Sequence, residues 1–134
     1  MANFIDTTFG IYPEALRVHE KRAELISANL ANENTPNYKA IDLDFRAVMQ
    51  EVKGKATVKD NSAFSSAIRN NDIMGSMSNY VKYRTISQPS ADGNTVDGRA
   101  EQAAFSENSI RYLASLNALD NRVKNLMLAI KGTS

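Results

Sequence analysis

The stretch "ANLANENTPNYKAIDLDF", Ala28 to Phe45, decides how this chain is organised. It starts as the end of an amphipathic helix and then changes character within a few residues. Asn29, Asn32 and Asn34 are helix-interior breakers, and Pro36 pushes Thr35 out of the α region. Beyond the Tyr38-Lys39 pair, Ile41, Leu43 and Phe45 alternate as in a strand. A helix therefore stops sharply here, and an extended segment begins.

Working upstream, Pro13 suits a first helical turn, and residues 12–32 are expected to be helical. Leu16, His19, Ala23, Ile26 and Leu30 follow one another at intervals of 3 and 4, the seam of a helix packed on other helices. Downstream, a second helix is expected over 97–131, closed by Lys131 and Gly132. Its seam runs through Tyr112, Leu116, Leu119, Val123, Leu126 and Ile130, with Phe105 and Ser109 continuing it towards the start. Ile110, Leu113, Met127 and Leu128 add a second apolar strip, more than one partner helix covers.

Residues 33–95 are expected to be extended or looped, with short strands at Lys39–Phe45 and Tyr80–Ser87. "EVKGKATVKDNSAFSS" and "SQPSADGNT" read as loops, and Asp92-Gly93 as a turn. The fold class expected is mainly α: a single domain over 1–134 with its terminal helices paired as an antiparallel coiled coil and a polar, loop-rich middle.

Composition narrows the function. The chain has 134 residues, 43% of them hydrophobic, with no Trp and a net charge of +1. That charge offers no basic surplus for nucleic acid or an anionic membrane. Cysteines are absent, which excludes disulfides and thiolate metal sites. No cleavable signal peptide is visible, and no apolar run approaches the ~20 residues that span a bilayer.

Chemistry is sparse. His19, the only histidine, lies on the apolar seam without an orienting partner, and reads as packed or interfacial rather than as a general base. Asp42 and Asp44 read as a solvated strand face, since no third ligand follows at a useful spacing. "DGNTVD", Asp92 to Asp97, lacks the Gly and Glu of a Ca²⁺ loop and reads as a turn leading into an N-cap, at Thr95 or Asp97. Met74 and Met77 read as a flexible loop or a small packing patch. No catalytic, cofactor-binding or metal residues are expected, and no small-molecule substrate. Helices with surplus apolar face point instead to a component of an assembly, the other possibility being a soluble helical adaptor or chaperone acting as a discrete oligomer.

A helix ending A-N-x-A-N and followed by T-P-N-Y-K-A resembles the signature of bacterial flagellar rod and hook proteins. "ALRVHEKRAELISANLAN", "IDLDF", "DGNTVD" and the closing "NLMLAIKG" make it most similar to the proximal rod, or FlgB, type. Asn29, Asn32, Thr35, Pro36, Asn37, Tyr38 and Lys39 carry the motif, with Asn37 where many relatives have Gly. Gly98-Arg99 departs from the acidic or apolar pair common at the second helix start. The resemblance implies a structural subunit exported without signal cleavage into the periplasmic rod of the basal body, the alternative within the family being another proximal rod component. Its implied partners are other rod proteins, the adaptor between rod and membrane ring, the export gate and copies of itself. Within that setting Pro36 and the Asn cluster are expected to fix the length of the first helix. Asn29 and Asn32 share a helical face and are expected to serve subunit geometry, the alternative being ordinary C-capping by Asn32 or Asn34 with Pro36 as the helix stop.

Overall fold

A computed structural model describes residues 9–57, 77–85 and 90–132 of the chain. In order these form helix α1 (Tyr12–Ala31), strand β1 (Ile41–Leu43), helix α2 (Phe45–Thr57), a 3₁₀ turn (Ser78–Tyr80), strand β2 (Val81–Tyr83) and helix α3 (Gly98–Lys131).

α1 begins with Pro13 in its first turn and Glu14 beside the positive end of its dipole, but has no cation in its last turn. α3 is complemented at both ends. The Asp97 carboxylate accepts from the backbone N–H groups of Arg99 and Ala100, Glu101 lies in the first turn, and Lys131 precedes Gly132 at φ +71°. The two helices pack antiparallel. Tyr12 lies under the Arg122 guanidinium, His19 meets Asn108, and Asn29 lies beside Glu101, so one numbering rises as the other falls.

The middle of the chain corrects the sequence-based expectation. Residues 45–57, assigned there to the loop region, form α2. Phe45, Val48, Met49 and Val52 are spaced i, i+3, i+4 and i+7, a helical stripe masked by Lys53, Gly54 and Lys55 around it. Asp44 caps it: its carboxylate accepts from Ala47 N–H and its carbonyl from Val48 N–H. The rest of "EVKGKATVKDNSAFSS", beyond Thr57, lies outside the described residues, as does Met74.

Both strands are shorter than expected, three residues each, and pair antiparallel with Ile41 opposite Tyr83, Asp42 opposite Lys82 and Leu43 opposite Val81. Residues 86–87 of the second expected strand lie outside the described residues.

The apolar core is shared between α1 and the middle of the chain. Ala15, Val18 and Leu25 of α1 pack with Leu43, Val48, Met49, Val52 and Met77. The middle of the chain thus supplies much of the core, and Met77 is fully buried in it, the packing patch of the two expected alternatives and not the flexible loop. By contrast, α3 buries only Glu101 and Asn108. One face of α1 is held by hydrophobic burial and another by polar bonds to α3.

Candidate functional site

Three groups of residues define the surface that joins α1 to the rest of the chain. The first is a pair of cross-helix bonds. Asn108 Nδ2 donates to the His19 carbonyl at 2.8 Å, which orients the amide so that its oxygen faces the imidazole. His19 Nδ1 lies 2.8 Å from that oxygen and therefore carries the proton. The ring stacks on Phe45 at 4.5 Å between centroids. Burial pushes the His19 pKa down, further lowered by the Arg22 and Arg111 charges and only partly offset by Asn108.

The second is an ionic cluster from four elements. Asp42 on β1 accepts from Arg22 of α1 through both oxygens, at 2.9 and 3.0 Å, and from its neighbour Leu43 N–H. Arg84, just after β2, bridges Asp42 and Glu101 of α3, at 3.1 Å to each, close enough to pair but off the angles of hydrogen bonds. Burial opposes charge on Asp42, yet Arg22, Leu43 N–H and Arg84 outweigh it and hold the pKa low. At Glu101, 1% exposed, burial prevails over Asn29 and Arg84 and raises the pKa. Asp42 is thus a half-buried ion-pair partner, not a solvated strand residue; its alternation was legible, its partners 20 and 42 residues away were not. Asp44 pairs with Lys82 at the rim.

The third group joins the two motif segments. The Asn29 amide, fully buried, donates to Ile41 O at 2.7 Å and accepts from Ile41 N–H at 3.1 Å, so both its ends are bonded inside the chain. Asn32 is the C-cap of α1, its Nδ2 donating to Ala28 O and its Oδ1 accepting from Thr35. The helix ends at Ala31, and a series of turns lies between it and Pro36. Asn37 adopts φ +61° against Gly93 at φ +74°; a Cβ on Gly93 would stand 2.6 Å from Asn37 Oδ1. Asn37 N–H donates to Asp92 O, Thr95 N–H to Tyr38 O, Ala40 N–H to Thr95 Oγ1, and Lys39 Nζ to Gly93 O. Thr95 therefore serves the motif, and Asp97 alone caps α3.

Of the seam residues, His19 and Ile26 are buried, while Leu16, Ala23, Leu30, Tyr112, Leu119, Val123 and Leu126 are half-buried. Leu116 is exposed and Ile130 is 82% exposed, alongside Ile110, Leu113, Met127 and Leu128. A groove of about 350 Å³ opens between His19, Ala23, Asn108, Tyr112 and Leu113. Arg22, Arg84, Asn94, Glu101 and Asn108 were not singled out by sequence. Each acts through a partner distant in the chain, and polar residues in a helix give no periodic signal. Among the described residues no group of His, Cys, Asp and Glu is placed to hold a metal ion, and no helix is long and apolar enough to cross a membrane.

Comparison with known proteins places this geometry. No family model matches the chain. It is 40% identical over 132 residues to the flagellar basal body rod protein FlgB of Cereibacter sphaeroides, covering 98% of this chain and 99% of that protein. The FlgB of Escherichia coli K12 is 34% identical over 131 residues, covering 95% of each chain. That of Salmonella typhimurium is 31% identical over 136 residues, covering 98% of this chain and 99% of its own.

Proposed function

Because the chain belongs to the FlgB family of flagellar basal body rod proteins, we propose a mechanical rather than a chemical role for it, as a structural subunit of the proximal rod. One observation carries the mode of packing. α3 has 34 residues against 20 in α1, so it is longer by about 20 Å at 1.5 Å per residue. Its surplus length bears Met127, Leu128 and Ile130, all exposed. Contiguous apolar surface of this kind marks an interaction site, and a neighbouring helix of like pattern covers it at the usual apolar gain. The terminal helices would then continue as an antiparallel coiled coil into a wider helical bundle shared by neighbouring subunits.

In this reading the chain is exported unfolded into the periplasmic space without signal cleavage. It packs there against other rod proteins, copies of itself, the rod–membrane-ring adaptor and the export gate. The shaft so formed transmits torque through side-by-side helices and needs no cofactor.

Leu126→Asp tests it. The half-buried Leu126 becomes a charge that no partner in an apolar interface compensates, at a cost of several kcal/mol. Motility and rod assembly should be lost while the protein still reaches the periplasm. Normal swimming at matched expression would rule out packing through this seam. A stable, discrete dimer or tetramer of the purified chain would point to a soluble adaptor instead.

A further inference from the structure

The last carbonyls of a helix have no partners within it, and a cation in the last turn commonly compensates them. α1 has none there. Its own last carbonyls are met locally, Ala28 O and Asn29 O by Asn32 N–H and Leu30 O by Glu33 N–H, whereas the carbonyls of the turn beyond it are met from the segment that precedes α3. The side-chain Nδ2 of Asn94 lies 3.0 Å from Asn32 O, 2.7 Å from Glu33 O and 2.9 Å from Thr35 O. Its Oδ1 accepts from Val96 N–H at 2.8 Å, which fixes the orientation of the amide, and the residue is 5% exposed. A primary amide has two protons, so three carbonyls share them in bifurcated bonds. No hydroxyl or carboxylate supplies two donors from one nitrogen.

We propose that Asn94 is a remote clasp on the turn that follows α1, carried on the segment that leads into α3, so that the exit of the first helix takes its final shape only when that segment has docked. The device makes the end of α1 and the start of α3 one cooperative unit. Gly93, at positive φ against Asn37, sets the turn that aims Asn94 at the carbonyls. Pro36, in this scheme, shapes the exit but does not terminate the helix, which has ended at Ala31, before it. The device rests on contacts within one chain and is independent of what covers α3 in an assembly.

Residue-resolved hydrogen exchange on the full chain tests it. In Asn94→Ala the amides of Glu33, Thr35 and Thr95 should exchange faster together, by about tenfold, as expected for loss of roughly one hydrogen bond's worth of local stability. The amides of residues 18–26 should not change, nor should any amide in Asn117→Ala, an exposed position on α3. Faster exchange at Thr95 with Glu33 and Thr35 unaltered would overturn the proposal. So would a uniform rise along the chain, which reports global rather than coupled loosening.

Asn94→Asp supplies a second readout. The new carboxylate faces three carbonyls and has no donor until it is protonated. Its pKa is therefore raised in the folded chain, and the stability deficit should shrink as pH falls from 7 to 4. Subtracting the wild-type profile removes the contributions of Glu33, Lys39, Asp92 and Asp97 nearby. A deficit that does not shrink with acidification contradicts the role of Asn94 as a donor to the turn after α1.

Discussion

The two halves of α3 differ in kind. From Gly98 to Tyr112 the fully buried side chains, Glu101 and Asn108, are polar and each is bonded or paired to a named group. From Val123 to Lys131 the side chains with most apolar area are half-buried or exposed. Polar contacts are directional and tolerate no slip, whereas apolar contacts tolerate many registers. The first half therefore fixes the alignment of the helix pair within the subunit. The second half, which makes no such bonds to α1 among the described residues, suits contacts made outside it.

Substitutions should separate these halves. The largest effect is expected from Asn108→Ala, which leaves His19 Nδ1–H without its acceptor and opens a small cavity. Unfolding free energy should fall by about 2–3 kcal/mol. An unchanged denaturation midpoint would mean that the cross-helix bonds do not hold the first half. Next, Gly93→Ala forces a side chain to positive φ and against Asn37, and should cost about 1–2 kcal/mol in the same denaturation assay.

A pH titration sharpens the contrast further. His19 is less basic folded than unfolded, so the folded state binds fewer protons as pH falls below about 6.5. Its contribution to stability is complete above that pH and is lost on acidification through it. Glu101, more basic folded, acts in the opposite sense: its burial favours the protonated form, so stability tied to it falls as pH rises through 4.5 and on through the raised pKa. The thermal midpoint of wild type minus that of His19→Gln should therefore drop between pH 7.5 and 5.5. A flat difference would show that the imidazole is not held neutral. The smallest effect belongs to Gly132→Ala at the other end of α3. Its φ is also positive, but nothing lies within 4 Å and the terminus can fray, so a few tenths of a kcal/mol are expected.

Local pattern carried the fold where the signal was local. The seam spacing, Pro13, Asp97, Lys131 and Gly132 place both terminal helices to within a residue or two of their ends. α2 was hidden because Phe45, Val48, Met49 and Val52 are followed at once by Lys53, Gly54 and Lys55. The position of the core was not legible for a related reason. Periodicity shows which face of α1 is apolar but not which element covers it, and Leu43, Val48 and Met77 take much of that face. The motif residues could be quoted from sequence, yet Asn94, whose bonds reach back about 60 residues to the turn after α1, could not be assigned. Long-range polar bonds leave no period to read.

The central claim is that α3 is latched to α1 in its first half and left open in its second. Hydrogen exchange along α3 in the isolated subunit at pH 7 tests it most directly. Amides between Glu101 and Tyr112 should be protected at least about tenfold more than those between Val123 and Lys131, which among the described residues have no cross-helix bonds to lose. Equal protection through Lys131, or greater protection in the second half, would contradict the account.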